Sequence, residues 1–241
     1  MKKTITLFTL FFSLLSAENV LSDVQKNGLM IVNSHGKEVT IERKKDAQCT
    51  KNNLTPKALF GGDYAGDKVA SVCKKTFVTH VGVLQPMTLG KEITTVGELE
   101  LLAHIKLAQS KPESYVLVDA RTKQWYEQMT IPTSVNLPFN EINYEEDKDE
   151  DDFENEDAFE EYEEQYKKIF KILNIKETKQ GLDFSDAKSA LLFCNGSWCS
   201  QSPNAIFKLI NLGYPAEKLL WYRGGIQDWL IYDFTIEVIK Q

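Results

Sequence analysis

A thiol at the end of an apolar run is the residue of this chain best placed to do chemistry. Ala190-Leu191-Leu192-Phe193 reads as a buried strand. Cys194 follows at once, and Asn195-Gly196-Ser197-Trp198-Cys199-Ser200-Gln201 makes a tight loop. Ser202 then reads as a helix N-cap with Pro203 at the first helical position. Ala205, Ile206, Leu209 and Ile210 give that helix a packed face, and Gly213 ends it. In a parallel sheet, the junction of strand and helix is the carboxyl edge, where ligands bind. A loop this short can turn its backbone N–H groups inward as an anion nest, and the helix adds its positive end. Both effects favour thiolate over thiol at Cys194. The expected chemistry is attack by a sulfur held in a cradle for negative charge.

Cys199 lies five residues on, a spacing unlike the Cys-x-x-Cys of dithiol redox motifs. It reads in three ways: as a resolving thiol that closes a disulfide with Cys194, as a second sulfur station, or as a passive small residue. Two thiols with no His nearby in sequence do not make a zinc site, and no metal is expected. Trp198 reads as a rim or packing residue that can also shield the sulfur. His35, His80 and His104 are scattered and read as ordinary surface or core residues. The sequence has no Ser-His-Asp order, no phosphate-binding Gly loop and no convincing carboxylate pair.

The elements that must position Cys194 follow from apolar periodicity. Thr95-Val96-Gly97-Glu98 reads as a capping box, and Leu99, Leu102, Ala103 and Leu107 as the apolar face of the helix it opens. Tyr115-Val116-Leu117-Val118 is a compact apolar strand ending at Asp119-Ala120-Arg121. A short helix around Trp125 and an extended stretch Val135-Asn136-Leu137-Pro138 come next. A helix is predicted through Tyr166, Ile169, Phe170 and Leu173. Leu219-Leu220-Trp221-Tyr222 is a third buried strand, leading into Arg223-Gly224-Gly225 and a short helix through Trp229. Apolar strands alternating with helices predict an α/β fold with a parallel sheet covered on both faces. Upstream, residues 23 to about 93 form an N-terminal region with short strands at Leu29 to Val32 and Glu38 to Ile41, and an extended stretch from Thr76 to Leu84.

Strand, Cys, short loop and helix together resemble the active-site loop of the rhodanese (sulfurtransferase) superfamily. Val116-Leu117-Val118-Asp119-Ala120-Arg121 resembles that family's first signature. Ile131-Pro132 with Asn136-Leu137-Pro138 resembles its continuation, and Tyr222-Arg223-Gly224-Gly225 with Trp229 its closing one. The likeness covers roughly residues 95 to 241. It implies a five-stranded parallel sheet flanked by helices, here with a small β-containing N-terminal region. It also implies a persulfide carried on Cys194 and passed to a thiol or other nucleophilic acceptor, with Asn195, Gly196, Ser197, Trp198, Cys199 and Ser200 as the substrate cradle. No cofactor is implied. Asp119 and Arg121 are expected to be a structural ion pair or strand-end cap. The loop departs from the family in having no basic residue between Cys194 and Lys208, and Cys199 stands where an Arg is frequent. Thiosulfate then loses charge-assisted hydrogen bonds, which favours a persulfide or polysulfide donor. If the strand Leu219 to Tyr222 lies beside Ala190 to Phe193, Arg223 ends near the loop and can supply charge. Its other reading is a solvent-facing or structurally paired Arg. A non-catalytic binding module and a Cys194–Cys199 thiol–disulfide switch are the competing functions.

Charge and processing signals bound the rest. Net charge is −7, but residues Glu145 to Glu164 hold fourteen acidic residues and one Lys. Subtracting their −13 leaves +6 elsewhere, so the rest of the chain is mildly basic and one block sets the pI. Asp147, Asp149 and Asp151 alternate as in a calcium loop, but Asp152 stands at the Gly position and Ala158 at the closing Glu. The block reads as a solvated insertion, or as a docking surface for a basic partner. No dense basic stripe interleaved with aromatics points to nucleic acid. Lys2 and Lys3, the apolar run Ile5 to Leu15, and Ser16-Ala17 read as a signal peptide over residues 1–17. An uncleaved anchor is the alternative, because Leu15 sits where a small residue is preferred. Export, periplasmic or otherwise, as a soluble protein is the expectation. An oxidising compartment permits a Cys49–Cys73 disulfide, the alternative being two unpaired thiols.

Overall fold

The computed structural model describes residues 28–42, 84–145 and 148–239. The signal segment, Cys49, Cys73 and most of the stretch from Thr76 to Leu84 lie outside them. At the centre is a five-stranded sheet in the order β3-β9-β8-β4-β5, formed by β3 (Thr94–Val96), β4 (Tyr115–Asp119), β5 (Val135–Asn136), β8 (Ser189–Phe193) and β9 (Leu219–Tyr222). Every pairing in it is parallel. Helices α1 (Glu98–Ser110), α2 (Lys123–Gln128), α3 (Glu156–Leu173), α4 (Gln201–Asn211) and α5 (Gly225–Ile231) connect or follow the strands. The expected rhodanese-type layout is therefore present.

The central strands are apolar on both sides because both faces are covered. Val116, Val118, Ala190, Leu192, Leu219 and Trp221 point into one core with Ile169, Phe170, Ile206 and Leu209 of α3 and α4. Leu117, Leu191, Phe193 and Tyr222 point into the other, with Leu101, Leu102, Ile105 and Trp229 of α1 and α5. Alternate residues of one strand thus serve opposite cores, which fixes the register. Each fully buried Leu contributes about 1.5–3 kcal/mol relative to exposure.

Two strands, β1 (Leu29–Val32) and β2 (Glu38–Ile41), form the antiparallel hairpin expected around His35-Gly36. Leu29, Ile31 and Ile41 are buried in the α1–α5 core. Gln109 of α1 exchanges hydrogen bonds with the Val32 backbone at 2.8 and 2.6 Å. The hairpin is therefore packed onto the sheet domain.

Several local expectations are corrected. Thr94–Val96 is the edge strand β3, and Thr95 Oγ1 donates to Met87 O at 2.7 Å, so Thr95 caps no helix. Gly97 is the N-cap of α1, and its N–H donates to Glu100 Oε2 at 3.1 Å. Leu101 and Ile105, not Leu99 and Leu107, join Leu102 as the buried face. The hairpin of β6 (Lys176–Thr178) and β7 (Gly181–Asp183) was not anticipated. Nine of the twenty residues of the acidic block, from Glu156 on, are the first part of α3, capped by the Asn155 side chain on Ala158 N–H at 2.9 Å. Phe153, Phe159, Tyr162 and Tyr166 stack there at centroid distances of 5.1–5.4 Å.

Candidate functional site

Parallel pairing of β8 with both β4 and β9 sets Phe193 between Asp119 and Tyr222 at one sheet edge. Cys194 leaves that edge directly. The Cys194 carbonyl accepts Ile226 N–H at 3.0 Å, and the Asn195 carbonyl accepts Gln227 N–H at 2.9 Å. The first turn of α5 is thereby fastened under the loop. This close approach requires Gly225: its φ is +59°, and a Cβ there would lie 2.3 Å from Cys194 O and 2.7 Å from Gly196 N. Gly196 is equally confined, with Gln227 Oε1 2.8 Å from where its Cβ would stand. Cys199 N–H closes the turn on Gly196 O at 2.9 Å, and Trp198 Nε1 donates to Gln227 Oε1 at 2.7 Å.

Both thiols are enclosed, Cys194 at 2% and Cys199 at 5% exposure. They are free cysteines, and their side chains hydrogen-bond to each other. Cys194 Sγ also donates to Cys199 O at 3.3 Å. Ser202 is not the N-cap. Helix α4 begins at Gln201 after Ser200, so Ser202 lies in its first turn, fully buried. Its Oγ donates to Cys194 Sγ at 3.1 Å and accepts from Trp221 Nε1 at 3.0 Å. Because Trp221 fills the acceptor side of the hydroxyl, the hydroxyl proton is aimed at sulfur.

The anion nest has an unexpected tenant. Backbone N–H groups of Asn195 and Gln201 act on the Cys199 sulfur, while Ser202 N–H acts on Cys194. Burial pushes the Cys194 thiol well up, and its hydrogen bond to Cys199 and the charge there push it further, against the help of Ser202. Cys199 is held down to about 7, first by the hydrogen bond from Cys194, then by the two backbone N–H groups and the Arg121 charge, all opposing its burial. Of the pair, Cys199 is therefore the more acidic thiol. The preference expected at Cys194 falls on its neighbour, because the loop's N–H groups converge five residues further on.

Asp119 and Arg121 form a buried ion pair, Nη2 to Oδ2 at 2.6 Å, with Nε donating to the same carboxylate at 2.9 and 3.2 Å. Thr130 Oγ1 donates to Asp119 Oδ2 at 2.8 Å, and Arg121 Nη2 donates to Met129 O. Arg121 Nη1 reaches Asn195 Oδ1 at 3.2 Å, so the pair fixes the residue after Cys194. Arg223 follows the strand beside β8, as its placement required. Its donors go to backbone rather than to sulfur: Nε to Pro86 O at 3.1 Å and Nη2 to Gln85 O at 3.0 Å. Gln85 N–H in turn donates to Ser197 O at 2.8 Å. Arg223 therefore clamps segment 84–87 against the loop.

The structure thus joins Cys194 through Ser200 in one loop, with Arg121 behind it and Arg223 beside it. Sequence reasoning missed Ser202, Trp221 and Gln227 as neighbours of that loop. Their contacts cross from α4 and α5 to residues 8 to 29 positions away. The only local signal was a small hydroxyl residue within the first turn after the thiol loop. Among the described residues no cluster of His, Cys, Asp and Glu could hold a metal ion.

A parallel sheet with a thiol loop at its carboxyl edge and a Gly-Gly helix start fastened beneath it defines a known class of protein. The Rhodanese-like domain family model matches residues 100–231, and the chain belongs to that family. Among solved structures it is similar to the BH2092 protein from Bacillus halodurans, at 20% identity and TM-score 0.40, over 61% of this chain and 78% of that one. It is also similar to a rhodanese with anions from E. coli, at 17% identity and TM-score 0.28, over 47% of this chain and 88% of that one. No curated protein matches the chain.

Proposed function

We propose that this is an exported sulfurtransferase that carries sulfane sulfur as a persulfide on Cys194. The observation that carries the reading is the loop itself: a sulfur at a strand end, reached by the Ser202 hydroxyl and N–H, with a second, more acidic thiol hydrogen-bonded to it. Loading needs Cys194 to lose its proton, and the neighbouring Cys199 sulfur can take it. Cys194–SH and a donor R–S–SH then give Cys194–S–SH and R–SH. An acceptor thiol reverses the exchange and leaves with the outer sulfur. No loop side chain is cationic, and the nearby Arg121 is already engaged by Asp119. A persulfide or polysulfide therefore fits better than the dianion thiosulfate.

The reading includes the signal at residues 1–17 and a basic protein as partner for the acidic block. Among the described residues no helix is long and apolar enough to cross a membrane. Deleting residues 145–164 would remove part of α3, so docking is better tested by Glu→Gln changes on its exposed face. The test of the main reading is intact-mass analysis of the reduced protein after exposure to polysulfide and, separately, thiosulfate. One added sulfur from polysulfide, absent in Cys194→Ser and lost on adding a thiol, is the expected result. No uptake by a folded protein from either donor returns the chain to the non-catalytic reading.

A further inference from the structure

The persulfide reading leaves Cys199 without a role of its own beyond holding a proton. Its environment is more specific than a passive loop residue requires. It is 5% exposed, its carbonyl accepts from Cys194 Sγ at 3.3 Å, its N–H closes the loop on Gly196 O at 2.9 Å, and its side chain is held against Cys194. Ordinary small residues need none of this. An outside acceptor, by contrast, has poor access, since Cys194 is 2% exposed.

We propose that Cys199 gives the carried sulfur a second exit, as sulfide, by closing a disulfide with Cys194. This step rests on the persulfide reading and extends it. The Cys199 thiolate attacks the inner sulfur of Cys194–S–SH. A Cys194–Cys199 bond forms, the bond between inner and outer sulfur breaks, and its electron pair leaves on the outer sulfur as HS⁻. The two cysteines lose two electrons in total, and the sulfane sulfur gains them. An external dithiol reductant must then reopen the disulfide, being oxidised to its own disulfide. The protein becomes a reductive sulfur releaser that uses one dithiol for each sulfide.

The geometry favours this exit over transfer to a free monothiol. Two groups already in contact react without the entropy of bringing an acceptor into a closed site. Cys199 is the more acidic of the two thiols, which makes it the readier nucleophile. The Ser202 hydroxyl donates to the Cys194 sulfur at 3.1 Å and holds it in place beside Cys199.

The experiment loads the reduced full-length protein with limiting polysulfide, without thiol, and follows intact mass, sulfide in solution and Cys-containing peptides. Wild type is expected to release about one sulfide for each sulfur loaded and to yield a Cys194–Cys199 cross-linked peptide. Cys199→Ser, and Cys199→Ala as a second variant, are expected to hold the added sulfur roughly tenfold longer or more. Cys194→Ser is expected to take up none. If wild type keeps its added sulfur as long as the Cys199 variants do, the inference fails and the carrier reading stands. If neither wild type nor the Cys199 variants take up sulfur, the carrier reading fails and takes the inference with it. Sulfur taken up on Cys199 in Cys194→Ser would overturn the assigned order of attack.

Discussion

Ser202 adds, at residue scale, to what the loop and the helix end were expected to do. A hydroxyl oriented by the Trp221 indole puts its proton on Cys194 sulfur, and a hydrogen bond to an ionised partner contributes about 1.5–3 kcal/mol. Ser202→Ala is expected to slow alkylation of Cys194 by roughly tenfold or more at neutral pH. Trp221→Phe, which only frees the hydroxyl to turn, is expected to act in the same direction but less. The pH dependence of iodoacetamide modification at Cys194 checks both, and an unchanged profile in Ser202→Ala would remove Ser202 from the site. The ion pair behind the loop has a structural cost of its own. Arg121→Met leaves Asp119 buried without its partner and is expected to cost about 3–5 kcal/mol in urea unfolding. Replacing Asp119 by Leu as well should recover much of that loss. Cys194 itself was legible because strand, thiol and loop are contiguous in the chain. Ser202 was misplaced because a helix that starts two residues early looks the same in sequence, and its contact with Trp221 spans 19 positions.

At the scale of elements, the closest packing of the site is α5 beneath the loop. Gly225→Ala must take a left-handed backbone, which costs about 1–2 kcal/mol for an L residue. It must also move a carbonyl now 2.3 Å from the new Cβ. The expected outcome is a lowered thermal midpoint together with slower sulfur loading, because the displaced carbonyl belongs to Cys194. A second element-level effect concerns pH. His104 of α1 is buried against Val116 O at 2.9 Å, and burial lowers its pKa to about 4. The unfolded chain therefore binds the proton first as pH falls, so the stability contributed by neutral His104 is present above about pH 6.5 and drains away down to about pH 4. The loss is about 3 kcal/mol at most. His104→Gln, whose amide can still donate to Val116 O, should flatten that part of the stability–pH curve measured by urea unfolding. Strands β4, β8 and β9 were legible as compact apolar runs. Strand β3 was not, because Thr94-Thr95-Val96 is stabilised by pairing with β9, far along the chain, and its threonines mimic a cap. The β6–β7 hairpin escaped for a related reason: Lys176, Glu177 and Thr178 are all exposed and show no alternation.

Across the whole molecule, the N-terminal hairpin and segment 84–87 are tied to the sheet domain at separate places. The hairpin is held by core packing with α1 and α5, and the segment by Arg223 and Ser197. Arg223→Met removes two donors from the Gln85 and Pro86 carbonyls. It is expected to raise hydrogen exchange at the Gln85 amide by about tenfold while leaving the β8 amides protected. Equal loosening of β8 would mean that the clamp supports the whole fold. The fold class was readable across the chain because the helix and strand periods alternate; the ties were not, since a basic side chain gives no sequence sign of which carbonyls it will find. The enclosure of the two sulfurs also sets a clock. A donor cannot reach a thiol that is 2% exposed until the loop opens. At high donor concentration, loading should therefore stop depending on donor and settle at a ceiling equal to the opening rate. Variants that loosen the loop would then raise that ceiling even as they weaken the chemistry that follows.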